Sequence, residues 1–238
     1  MTLVALCALG IAACSGFPVS GSPSPTAEPQ HEPGNAADTA LARSILPRPS
    51  QMPQGWTLVE QSDYQANELP IDFCVVDFPG YVAGSSSDFR FHVDASGKAA
   101  GELQVDVRLT NSAADAGKQL ERLRSMDALT APARQCFLED YRFMAAQDVG
   151  LDDLLPGSDL TRTTASGSLQ GQTVKASVPY RSVAGDKTMY IDDIRLQKGR
   201  IVARLVFMTC CQPFDYATVE GPLVSATAKR IQSASTNR

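Results

Sequence analysis

Histidine, tryptophan and basic charge are scarce in this sequence. Its 238 residues include 2 histidines, 1 tryptophan, and 21 lysines and arginines against 26 acids, for a net charge of -5. No cluster of Lys and Arg interrupts that acidic balance, which excludes nucleic acid as a partner, since phosphate binders need clustered basic side chains to displace counterions. No apolar run approaches the roughly 20 residues that a membrane-spanning helix requires. The paired CxxC spacing of a four-cysteine zinc site is missing, and so is the GxSxG elbow of a serine hydrolase. No motif for a cofactor, a metal or a catalytic centre is present. What is there, 43% hydrophobic and 20% charged residues, suits a folded domain with a sizeable core.

The N-terminus carries an address. Residues 3–13, Leu-Val-Ala-Leu-Cys-Ala-Leu-Gly-Ile-Ala-Ala, have the length of a signal-peptide h-region. They end in Ile11-Ala12-Ala13-Cys14, which resembles the bacterial lipobox. The resemblance implies cleavage after residue 13, a diacylglyceryl group on the Cys14 thiol, and attachment to the extracytoplasmic face of the cell membrane. No Lys or Arg precedes the run, although such leaders normally begin with positive charge, so the true start is expected upstream. Residues 14–37 are rich in Ser, Gly and Pro, as in Ser22-Pro23-Ser24-Pro25 and Glu32-Pro33-Gly34-Asn35. They read as a lipidated cysteine followed by a disordered tether, in which His31 is solvated. A single domain is expected over residues 38–238.

Cys7 leaves with the leader and Cys14 takes the lipid, which leaves Cys74, Cys136, Cys210 and Cys211. An even count in an exported domain reads as two disulfides. Neighbours on a strand point to opposite faces, so a bond between Cys210 and Cys211 is disfavoured. One of the two is expected to join Cys74 and the other Cys136. No CxxC and no helix start directly after Cys211 mark a low thiol pKa, so no redox role is read for the pair.

Along the domain, Asp38 is placed to cap a short helix ended by Pro47 and Pro49, and a strand begins at Trp56. Phe89, Phe91 and Val93, then Leu103, Val105, Val107 and Leu109, alternate with polar residues around a turn at residues 95–98 and predict a hairpin. Asn111 or Ser112 caps a helix bearing Ala116, Leu120, Leu123 and Met126. Residues 131–158 show no clean period and are read as a strand or short helix. Val174–Tyr180, Met189–Leu196 and Ile201–Thr209 predict a three-stranded meander. The last of these is apolar on both faces except at Arg204, which marks it as central. Pro222 opens a closing helix. The expected class is α+β, an antiparallel twisted sheet with helices on one face.

The short helix, the stretch from Leu46-Pro47 to Gly55-Trp56, Phe73-Cys74, the helix before Cys136, the apolar strand, Cys210 and the C-terminal helix together resemble actinobacterial cell-envelope lipoproteins with a PknH-like extracellular sensor domain, or the LpqN and PsbP type of α+β fold. Most of residues 40–235 takes part in this layout. The doubled Cys210-Cys211 departs from it, because a single cysteine is expected at that strand end. The resemblance implies a ligand-binding or interaction module and supplies no catalytic residues.

Few side chains invite chemistry. His92, the domain's one histidine, falls on the polar side of its strand, with Ser85-Ser86-Ser87 before it read as a loop. Asp192-Asp193 interrupts an alternating strand and reads as a β-bulge rather than a cation site. Asp152-Asp153 reads as a helix cap or loop acid. Arg204 needs either an acid in the core or an anion pocket, and the acid is favoured. The expected function is a non-enzymatic, sensor-like binding domain for a small apolar or lipidic ligand or an envelope protein. The alternatives are an envelope hydrolase working through His92 and a structural accessory lipoprotein with one protein partner.

Overall fold

A computed structural model describes residues 36–65, 81–93, 99–124, 131–165, 169–213 and 216–236. All belong to one unit, His31–Arg238. The leader, Cys14, nearly all of the tether, Cys74 and the turn at residues 95–98 lie outside the described residues.

Seven antiparallel strands form one sheet in the order β1-β2-β3-β7-β6-β5-β4. They are β1 (Trp56–Gln65), β2 (Tyr81–Val93), β3 (Ala99–Thr110), β4 (Asp159–Ala165), β5 (Gln170–Ser182), β6 (Gly185–Lys198) and β7 (Ile201–Cys210). The helices are α1 (Ala36–Ile45), α2 (Ala113–Arg124), α3 (Ala131–Val149) and α4 (Gly221–Thr236). Ser112 caps α2: its hydroxyl accepts from the Asp115 amide at 3.1 Å and donates to the Asp115 carboxylate at 2.7 Å. Asp38 does not cap α1, which begins two residues earlier. It lies buried inside the first turn and takes a 2.8 Å ion pair from Arg200.

β7 explains the layering. Leu205 and Phe207 point to one face, where β2, β3 and β6 add Phe89, Leu103, Val105 and Ile194 beneath Ile45 of α1 and Leu223 and Ile231 of α4. Val206 and Met208 point to the other, where Val174, Ala176, Val178 and Ile191 pack under Tyr141 and Ala145 of α3. Burying each Val, Leu, Ile, Phe or Met among them contributes about 1.5 to 3 kcal/mol. Helices therefore cover both faces, not one. A strand apolar on both sides needs cover on both sides, so the correction was already implied by Ile201–Met208.

Other expectations also change. Residues 131–158, expected as a strand or short helix, contain instead the 19-residue helix α3. Phe143 of that helix is 48% exposed, so its apolar residues do not share a face. β4 was not anticipated, because its Leu-Thr-Arg-Thr-Thr stretch lacks apolar alternation. Ser85, Ser86 and Ser87 lie in the middle of β2 rather than in a loop, with Ser85 and Ser87 buried. Asp192 and Asp193 form no bulge: β6 keeps unbroken register with β5 and β7, so the two acids point to opposite faces. Asp152 and Asp153 sit in a short 3-10 turn, Leu151–Asp153.

The cysteine expectation is corrected too. Cys210 and Cys211 are bonded to each other, not to distant partners. Strand alternation disfavours a bond between neighbours only while the strand continues, and β7 ends at Cys210. Cys211 turns into the left-handed region with φ 80°. Cys136 lies on α3, and its side chain is outside the described ones.

Candidate functional site

On the face that α3 covers at one end, the outer strands carry polar residues instead of a core. Tyr64 of β1 reaches across β2 to give its hydroxyl proton to Asp106 of β3. The path is open because residue 84 is glycine: a Cβ there would come within 2.3 Å of the Tyr64 ring. Asp106 also accepts from Arg108 Nε at 2.5 Å, and the Arg108 guanidinium lies 4.8 Å from the centroid of the Tyr81 ring. Burial alone would lower the pKa of Arg108, but Asp106 and Tyr81 push it above its ordinary value. In the β3–β7 register Asp106 stands opposite Arg204.

Arg204 carries the seam inward. Its Nη2 and Nε donate to Asp193 of β6 at 2.8 and 3.0 Å, Arg195 Nη2 donates to the same carboxylate at 3.2 Å, and the Tyr141 hydroxyl of α3 donates at 3.0 Å. Asp193 is 1% exposed. Burial would raise its pKa, yet the two guanidiniums hold it well below the usual carboxylate range. Burial, reinforced by Asp193, raises the Tyr141 phenol well above its ordinary value. These groups are locked as charges and donors, so they hold the sheet rather than move protons. The acid expected for Arg204 is thus Asp193.

At the outer end the side chains are reachable. Arg90 pairs with Glu102 at 2.8 Å while remaining 43% exposed. Asp88 lies beside them in register with Glu60 and Gln104. Burial, then the Glu60 charge, raises its carboxyl pKa. Sequence reasoning found the polar positions of β3 but did not join them to Arg204; pairing Asp106 with Arg204 across β3 and β7 would have done so. His92 is on β2, but its side chain is outside the described ones. Cys14 and Cys74 lie outside the described residues. Among these residues no group of three metal-ligating side chains occurs, and no helix is long and apolar enough to cross a membrane.

On the opposite face a second charged cluster joins the sheet to α4. Glu220, at the end of the Tyr216–Glu220 turn, is buried near the Asp192 carboxylate of β6, and its Oε2 has no hydrogen-bond partner among the described residues. Lys175 of β5 pairs with Asp192, and its Nζ lies 3.9 Å from Glu220 Oε2. Burial, then the neighbouring Asp192 carboxylate, pushes the Glu220 carboxyl up to about 8.

Among solved structures the chain is similar to the extracellular domain of PknH from Mycobacterium tuberculosis, with TM-score 0.47 and 9% identity over 87% of this chain and 99% of that one. It is also similar to an uncharacterized protein, the Rv0999 ortholog, from Mycobacterium smegmatis, with TM-score 0.33 and 11% identity over 82% of this chain and 98% of that one. No family model and no curated protein matches the sequence.

Proposed function

We propose that this chain is an exported lipoprotein, held at the extracytoplasmic face of the membrane through Cys14, whose domain is a non-enzymatic, sensor-like binding module. The observation that supports binding is the polar seam. Its inner members are fixed by Asp193 and Asp106, and its outer members, Asp88, Arg90 and Glu102, are partly exposed and of alternating charge. A rigid array of this kind recognises polar groups by complementarity, which governs specificity and encounter rate more than raw affinity. The apolar side chains of both faces are already packed under α1, α4 and α3. An envelope protein presenting charged groups therefore fits the seam better than an acyl chain does.

The test is zero-length carbodiimide crosslinking of the full chain in its own membrane, followed by peptide mass mapping. The expected adduct joins Asp88 or Glu102 to an amine of an envelope protein and disappears in Arg90→Glu. Native mass spectrometry showing a retained lipid would favour the apolar-ligand alternative. Hydrolytic turnover abolished by His92→Ala would establish the enzyme alternative.

A further inference from the structure

We propose that the Cys210–Cys211 bond is a reducible site for small extracellular thiols, with Cys211 as the attacked sulfur and Tyr180 as the group that receives the leaving thiolate. A disulfide stabilises a fold chiefly by closing a long loop in the unfolded chain, and the gain grows with the residues enclosed. Here the sequence separation is 1, so the bond encloses no chain and a stapling role does not explain it.

Its surroundings suit exchange. The two cysteines are unequal: Cys211 is exposed and Cys210 is half-buried against the α3 core. Cys211 is a non-glycine residue held at φ 80°, a conformation that L side chains rarely adopt. That turn is pinned on both sides, by the Cys211 amide donating to the Thr188 carbonyl at 2.8 Å and by the Thr209 hydroxyl donating to the Gln212 carbonyl. Inside, the hydroxyl of Tyr180, a residue only 2% exposed, lies 2.8 Å from Cys210 Sγ. A disulfide sulfur carries no proton, so the phenol is the donor, already aimed at the atom on which negative charge develops.

The exchange follows from this arrangement. The thiolate of a small thiol attacks Cys211 Sγ, forming a mixed disulfide, and the S–S electron pair leaves on Cys210 as a thiolate that accepts the Tyr180 hydrogen bond. A second thiol attacks the mixed disulfide and releases Cys211. Two small thiols are oxidised to one small disulfide, the protein disulfide is reduced to two thiols, and the two protons come from the small thiols.

The experiment exposes the full chain, folded and at neutral pH, to reduced glutathione, quenches with iodoacetamide and maps the labelled peptides. Cys210 and Cys211 are expected to be labelled together without denaturant. Tyr180→Phe, which keeps the ring and its packing, is expected to slow reduction about tenfold, the effect of one hydrogen bond to a forming thiolate. In Cys211→Ser, Cys210 is expected to be labelled with no reductant at all. Any one of three results overturns the proposal: Cys210 or Cys211 mapped to Cys74 or Cys136, labelling only after unfolding, or an unchanged rate in Tyr180→Phe.

Discussion

Replacing Asp193 by alanine is expected to lower the unfolding free energy by about 3 to 5 kcal/mol, the cost of breaking a buried ion pair from one side. Arg195 and Arg204 would keep their charges on a largely buried face, and the Tyr141 hydroxyl would lose its acceptor. Urea unfolding measures the loss as a lower midpoint. Asp152→Ala, at an exposed position, serves as the control and should change stability by less than about 0.5 kcal/mol. The pH dependence carries a definite sign. Because the folded pKa of Asp193 is depressed, its contribution is present above the unfolded carboxylate value of about 4 and is lost as pH falls toward the folded value. Asp193→Ala should therefore flatten the acid side of the stability profile. A midpoint equal to that of Asp152→Ala would show that the seam is not held through this carboxylate.

Glu220→Gln is expected to act on the other side of the profile. The folded pKa of Glu220 is raised from 4.5 to about 8. Its contribution is thus complete below the unfolded value and is lost as pH rises through the folded one. Over that window the unfolded chain gives up the proton first, so the wild-type protein should lose stability steadily as pH rises. Glutamine keeps the shape and a donor toward Asp192 without titrating, so the variant should lose this slope and be the more stable protein at pH 8. Thermal unfolding at pH 5 and pH 8 reads the effect directly. Equal slopes in the two proteins would show that Glu220 does not hold its proton through this window. Opposite pH behaviour is thus expected of Glu220 and Asp193, because strand alternation sets Asp193 against two guanidiniums while Glu220 is buried near another acid, Asp192.

Much of the sheet was legible because alternation at period two is a local signal. Leu103 to Leu109 and Val174 to Tyr180 each state their strand and their buried side. The two-sided apolar run of β7 stated its central place, and with it the need for cover on both faces. α3 was illegible because Phe143 is spent on the surface, which blurs the helical period, and β4 because threonines at an edge need no apolar face. The seam was half legible. Arg204 announced itself as a charge in an apolar strand, but its partner depends on register between β6 and β7, which no single strand encodes. The Cys210–Cys211 bond turned on the backbone at one residue past the strand end, where the alternation rule no longer applies.

The most direct measurement of the account is the mass of the N-terminal peptide from the chain expressed in an actinobacterial host and separated into membrane and soluble fractions. A membrane-bound protein whose first residue is Cys14, carrying a diacylglyceryl group on its thiol, is the expected result. A soluble protein with an intact leader and an unmodified Cys14 would contradict the anchored module proposed here.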